Sequence, residues 1–384
     1  MLSPDKLTLA ANADLIGTPG SAAHLTTPAL VLDLERLRAN QAHMMSLCDA
    51  AGIKLRPHGK THKCSRLAFE QLAAGAVGIC CATPHEAIAF ARAGVGKLLI
   101  TSPVVQPRHL RALADLHEAG VELMIVIDQV DAIAAWETLL SDPERPLPAL
   151  VDIDIGMGRT GASTLEQALA IGRRLSGSRT LAYAGVQAYS GRVQHINDYR
   201  ERRRVYWAQL DRLEACLQAL ENAGLAPPIV SGGGTGTFAI DVERGLYTES
   251  QAGSYIFMDV EYNDVELFEG RSSPYGVSLT LRTSIISANF PGHMTLNAGF
   301  KSFATDGPLP KLYGEHFAGA KYELYGDEYG RLILDPSQCA PAIGTCVELV
   351  TPHCDPTVNL HDVLHVIEGD TLVDIWRIDA RGVL

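Results

Sequence analysis

From Thr27 onward, short apolar runs alternate with segments whose apolar residues recur at helical spacing. The first run is 29–33, followed by a helical pattern over 34–48. The alternation repeats as 53–56 before 65–74, 77–81 before 84–93, and 97–101 before 107–119. It continues as 122–128 before 130–140, 149–155 before 164–175, and 181–189 before a long helix over 199–223. The run 228–231 ends the series by entering a glycine cluster. Continuous Val, Ile and Leu fit strands buried on both faces, as in a parallel sheet. Eight strand-and-helix units predict an α/β fold in which residues 27–257 close into a (β/α)8 barrel. A doubly wound open sheet uses the same alternation, but the eight units and the absence of a first-turn Gly-x-Gly-x-x-Gly favour the barrel.

The pattern changes near Met258. Runs at 278–286, 293–297, 331–334, 346–350, 363–367 and 371–379 read as strands separated by Gly, Pro, Asn and Asp. They predict a second, mostly β domain made of 258–384 with the arm 1–26. A chain of 384 residues exceeds the usual single domain, which agrees with two units. The net charge of −12 argues against nucleic acid or an anionic membrane as partner. No apolar run is long enough to span a bilayer, and the first residues lack the cationic start and apolar block of a signal peptide. Eight cysteines without a Cys-x-x-Cys pair predict reduced thiols and a cytoplasmic setting.

Chemistry concentrates where strands end, because a barrel places function at the C-terminal ends of its strands. Leu55-Arg56-Pro57-His58-Gly59-Lys60-Thr61-His62-Lys63 puts two histidines and three cations into nine residues. Neighbouring positive charge and partial burial would lower the pKa of Lys60, leaving neutral amine to condense with a carbonyl. A basic strand end with solvated charges is the plainer reading of the same residues. Later strand ends supply Gly158-Arg159, Gln187-Ala188-Tyr189 and Gly232-Gly233-Gly234-Thr235-Gly236. The glycines let backbone amides approach phosphate oxygens, and Gly253-Ser254-Tyr255 adds donors just beyond. A reactive lysine and a phosphate cradle on one rim point to pyridoxal 5'-phosphate, with Arg159 near the pyridine nitrogen.

A second cluster, His353-Cys354-Asp355-Pro356-Thr357, follows a strand-like run. If the strand continues, His353 and Asp355 share a face while Cys354 points away. One imidazole and one carboxylate leave coordination positions open, which suits Mn²⁺ or Mg²⁺ better than a closed zinc site.

Together with Thr27-Pro28-Ala29-Leu30-Val31-Leu32-Asp33 and Asn359-Leu360-His361-Asp362, these stretches resemble the D-threonine aldolase family, in family order through nearly the whole chain. Its relatives are D-serine dehydratase and D-threo-3-hydroxyaspartate dehydratase, fold-type III pyridoxal phosphate enzymes with a barrel like that of alanine racemase. The resemblance implies Lys60 as the cofactor lysine and His353 with Asp355 as metal ligands. It also implies cofactor contacts from Arg159, Gln187, Tyr189, Gly233, Gly234, Thr235, Gly253, Ser254 and Tyr255. The dehydratases resembling this chain pair the histidine with a cysteine two residues later, whereas here that residue is Asp355. That difference favours retro-aldol cleavage of a D-β-hydroxy-α-amino acid to glycine and an aldehyde.

His58 is the base that the resemblance implies, provided the strand stays extended through Gly59, with His195 a weaker candidate. His62 and Lys63 are expected to be supporting charges. A 3-hydroxyaspartate aldolase, a dehydratase acting by β-elimination, and a non-catalytic pyridoxal phosphate carrier are the alternatives. The carriers lack a β domain. The partners expected are a small-molecule substrate and, as in fold-type III relatives, a second copy of the chain in a homodimer.

Overall fold

A computed structural model describes residues 11–335 and 338–382. The strand β1 (Ala29–Asp33) leads into α1 (Leu34–Ala51), whose first turn is capped by the Asp33 carboxylate accepting from Arg36 N at 3.0 Å. The barrel strands follow as β2 (Lys54–Leu55), β3 (Ile79–Cys81), β4 (Lys97–Ile100) and β5 (Glu122–Ile127). They continue with β6 (Leu147–Ile153), β7 (Leu181–Ala188), β8 (Ile229–Gly232) and β9 (Glu249–Ser250). Seven helices connect them: α2 (Ser65–Ala73), α3 (Pro84–Arg92), α4 (Pro107–Glu118), α5 (Val130–Glu137), α6 (Leu165–Ser176), α7 (Tyr199–Asn222) and α8 (Phe238–Arg244).

The strands run parallel from β3 through β9 to β2, and a parallel bridge between His58 and Cys80 joins the two ends. Cys80, Leu99, Val126 and Leu150, one each from β3 to β6, form their own buried cluster. Their sequence neighbours pack instead with the helices. Both faces of β3 to β6 are therefore buried, which is why those runs read as continuously apolar. At the seam, Arg56 makes a bidentate ion pair with Glu249, both bonds 2.9 Å, and both side chains are under 10% exposed. Arg56 is thus a buried tie between the first and last barrel strands, not a solvated basic end.

The second sheet runs β13-β14-β11-β10-β1-β16-β17, with β15 paired to β10 and β12. It consists of β10 (Leu279–Ser287), β11 (Met294–Leu296), β12 (Lys311–Leu312), β13 (Lys321–Leu324), β14 (Gly330–Ile333), β15 (Cys346–Val350), β16 (Val363–Glu368) and β17 (Thr371–Arg377), together with β1. Two short helices belong to this part, α9 (Val260–Asn263) and α10 (Cys354–Val358). The described arm packs on the same sheet, with Gly17 N donating to Leu372 O and Ala22 N to Asp370 O.

One strand assignment changes. The run 29–33, expected as the first barrel strand, lies instead in the second sheet, antiparallel to β10 and parallel to β16. It is buried on both faces there too, so its apolar run could not tell one sheet from the other. The eighth barrel strand is β9, whose two residues are too short to leave a periodic signal. β12 and β13 were likewise not legible as strands.

Candidate active site

The C-terminal ends of the barrel strands open into a cavity of about 390 Å³, which His353 and Asp355 of the β-rich part also line. Beyond β2 the chain makes one 3₁₀ turn, Gly59–Thr61, so the strand does not stay extended through Gly59. A Cβ on Gly59 would stand 2.6 Å from the Phe90 ring, which explains the glycine there. The turn aims Lys60 into the cavity, with Nζ 3.4 Å from Asp355 Oδ2. Burial lowers the Lys60 pKa, but Asp355 and then Tyr189 outweigh it, so the pKa is raised. The expected lowering by positive neighbours is therefore corrected: before cofactor binds, Lys60 is an ion-paired ammonium.

The other residues of this segment are drier than their charges suggested. Burial pushes His62 down to about 4, and its ring bonds Gln71 Oε1 at 3.2 Å, so it is neutral rather than a supporting charge. Lys63, with φ of +49°, donates to Asn359 Oδ1 at 2.8 Å and ties this loop to the C-terminal end of α10. His58 lies well below its usual pKa through burial and the Lys60 charge. Its Nδ1 accepts from Lys60 N at 3.4 Å, and its Nε2 is 3.1 Å from Thr101 Oγ1. Because Thr101 Oγ1 donates to Cys81 O at 3.1 Å, the His58 proton sits on Nε2 and both ring nitrogens are engaged within the wall.

On the remaining barrel rim, Asp154 accepts from the amides of Gly156, Met157 and Gly158 at 2.7–3.0 Å, shaping the turn that delivers Arg159. The Arg159 guanidinium lies 5.6 Å from the Tyr189 ring centroid, and both side chains line the cavity. Gln187 donates to Asp152 Oδ1 and Thr101 O, both at 2.9 Å, and accepts from Gln251 Nε2 at 3.1 Å. Gly233, Gly234, Thr235, Gly253 and Ser254 line the same cavity. Thr61 Oγ1 is buried without a hydrogen-bond partner, and a Cβ on Gly253 would come within 2.5 Å of it. An unpartnered hydroxyl, a glycine-rich turn and a lysine on one rim fit pyridoxal phosphate. Tyr255 does not face the cavity. Its backbone N donates to Thr235 Oγ1 at 3.0 Å, while its ring is buried against Tyr275 in the second core.

The metal motif converges by a different geometry from the one expected. His353 is extended, but the chain turns immediately into α10, so Asp355 stands in a first helical turn rather than on a strand. Cys354 is fully buried, its Sγ 3.4 Å from Asp355 Oδ1, and it does not line the cavity. Burial raises the Asp355 pKa, but the Lys60 and His353 charges hold it below the usual range, so it is a carboxylate. His353 Nδ1 is 2.9 Å from Asp306 Oδ2, which leaves Nε2 as the nitrogen available to a cation. An oriented imidazole beside an ionised carboxylate fits a hard divalent cation with open positions. Among the described residues no ready-made group of three such ligands is found.

His195, the weaker base candidate of the sequence, lines the cavity with its side chain 38% exposed. Its Nδ1 is 3.3 Å from Glu261 Oε2, and its ring centroid is 6.3 Å from that of His353. Burial and then His353 lower its pKa. Thr101 went unnamed in the sequence, although its place directly after β4 at a strand end was a signal that could have found it. Asp306 and Glu261 left no signal, for they reach the site only through the folding of the second domain.

The chain matches the family described as alanine racemase, N-terminal domain, over residues 32–261, and the putative serine dehydratase domain over 278–367. It is 37% identical to the D-threonine aldolase of Arthrobacter sp over 361 residues, 94% of each chain. It is 33% identical to the 3-hydroxy-D-aspartate aldolase of Paracoccus denitrificans (strain Pd 1222), over 96% of each. The crystal structure of D-threonine aldolase from Filomicrobium marinum superposes with a TM-score of 0.89 at 32% identity, covering 94% of this chain and 97% of that one.

Proposed function

The chain belongs to the D-threonine aldolase family of pyridoxal phosphate enzymes, and from that membership we propose that it cleaves D-β-hydroxy-α-amino acids to glycine and an aldehyde. The observation that carries this reading is the meeting of Lys60 and Asp355 at 3.4 Å in a cavity shared with His353 and His195. Pyridoxal phosphate on Lys60 would supply a sink for the electron pair released when Cα–Cβ breaks, and a divalent cation, Mn²⁺ in our reading, on His353 and Asp355 would supply positive charge at the β-hydroxyl.

The chain's own residues supply position and proton transfer. Arg159 would offer a permanent cation to the cofactor's ring nitrogen, while Gln187, held by Asp152, braces the cavity wall. Gly233, Gly234, Thr235, Gly253 and Ser254, which line the cavity, would hold the phosphate. Tyr255 contributes only through its backbone. His195, oriented by Glu261, takes the β-hydroxyl proton, because it opens onto the cavity while both His58 nitrogens are engaged. His58 then orients the lysine turn. The buried, cavity-averse Cys354 supports oxygen ligation and the aldol cleavage over β-elimination.

Arg192 favours one variant of this reading. It lines the cavity as an exposed cation, which suits a carboxylate on the β-carbon, as in 3-hydroxyaspartate. We also take the working unit to be a homodimer, so a monomeric mass in sedimentation would count against that part. All eight cysteines are unpaired, which supports a reducing, cytoplasmic setting. The test is product analysis on enzyme loaded with pyridoxal phosphate, then chelated, with and without added Mn²⁺. Glycine with acetaldehyde from D-threonine, or with glyoxylate from D-3-hydroxyaspartate, is expected only with metal. Ammonia and a 2-oxo acid would overturn the proposal in favour of elimination.

A further inference from the structure

Beneath the glycine loop lies a carboxyl group that the proposed chemistry does not use. Asp241, on α8, is 2% exposed. It packs so closely under the loop that a Cβ on Gly233, at φ of +66°, would collide with its Oδ2. That oxygen accepts from Thr237 Oγ1 at 2.9 Å, and Thr237 Oγ1 in turn accepts from Gly234 N and Gln194 Nε2, each at 3.1 Å. Asp241 thereby sets the Thr237 hydroxyl that holds the loop amides in place. Its other oxygen, Oδ1, is buried without a partner.

The titratable groups facing Asp241 are tyrosines: Tyr206 from α7 and, behind it, Tyr247 from the segment before β9. Tyr247 donates to Ala188 O at 3.2 Å, and the two hydroxyl oxygens are 3.1 Å apart, so the Tyr206 proton is directed to Tyr247. Neither phenol has a proton left for Asp241 Oδ1. A carboxylate there would be buried, charged and half-solvated by nothing, whereas a carboxylic acid can place its own proton on Oδ1 and donate toward Tyr206.

We propose that Asp241 is a positioning residue under the phosphate loop, and that binding of a phosphate dianion in the loop makes this carboxyl take up a proton and stay a neutral acid. The inference rests on the reading that this loop receives the cofactor phosphate. Burial pushes the Asp241 pKa up to about 7, with the hydrogen bond from Thr237 pulling the other way, so the group changes state near neutrality before any ligand arrives. Above that pH an unliganded loop covers a carboxylate, which repels the incoming dianion. Binding raises the pKa, and by linkage the affinity falls as pH rises.

The probe is pyridoxamine 5'-phosphate added to cofactor-stripped protein, because its amine does not condense with Lys60. Between pH 7 and 9 the phosphate is already largely dianionic, its second ionisation lying near ~6. The dissociation constant of the wild type is expected to rise about thirtyfold over that interval, and that of Asp241→Asn less than about twofold, since the amide is neutral throughout. Calorimetry of the wild type in two buffers of different ionisation enthalpy should show uptake approaching about one proton per ligand near pH 8. That measurement decides the matter even if the variant does not fold. A pH-independent affinity, no proton uptake, or the same slope in Asp241→Asn would overturn the proposal. If pyridoxamine without phosphate binds as tightly at pH 7, the phosphate-loop reading itself fails.

Discussion

The barrel holds its cavity residues on strand ends tied into a buried network, whereas the β-rich part presents His353 and Asp355 from the junction of a strand and a five-residue helix. On the barrel side, Gln187 alone joins Asp152, Thr101 and Gln251, residues from three other strand ends. On the other side, His353 is oriented by Asp306, whose side chain is 55% exposed. The first wall is preformed and dry, while the second is braced through solvent-facing groups. A cofactor that stays through many turnovers belongs on the first, and a cation that exchanges with solvent on the second.

Four substitutions or conditions separate the two walls. Lys60→Ala should have the largest effect, at least about a thousandfold in kcat, because the group that anchors the carbonyl is gone. Loss of the cofactor's lysine-bound visible absorbance would accompany it. Asp355→Ala should lower kcat/KM about a hundredfold and weaken Mn²⁺ binding, with pyridoxal phosphate still bound by absorbance. Cofactor loss in that variant would mean the walls are not separable.

The third measurement is acid stability. His62 is driven from its usual pKa to about 4 by burial, so between roughly pH 6.5 and 4 the unfolded chain binds a proton that the folded chain refuses. Stability is full above that window and declines as pH falls through it, by about 3 kcal/mol in all. Denaturant unfolding of His62→Asn should show a shallower decline, and an unchanged slope would locate the effect elsewhere. The smallest effect is expected from Cys354→Ala. Its thiol does not reach the cavity, so activity and metal affinity should change by less than about threefold. A large loss would return the thiol to the coordination sphere.

The sequence carried the barrel rim better than the metal wall, and the reason is periodicity. Lys60, Arg159, Gln187 and Gly233 follow apolar runs whose burial on both faces is written in their composition, so each strand end could be located. The motif at His353 carried identity without conformation, since a strand that turns into a short helix has no period to read. β1 misled for the opposite reason, because a double-sided apolar strand serves either sheet equally well. The pKa of Lys60 went astray because its nearest partner, Asp355, is remote in sequence. Asp241 gave no sign at all, for only the fold puts it beneath Gly233.

The position of β1 also bears on how the chain comes off the ribosome. Its sheet neighbours are residues 279–282 and 365–367, so it is made well before either partner that completes its pairing. All eight barrel strands, ending at Ser250, are synthesised in that interval. A nascent chain can therefore close its barrel while β1 waits with both edges bare, and only the later arrival of β10 and β16 covers them. The strand made before the barrel is the one whose pairing waits until both β10 and β16 have followed it.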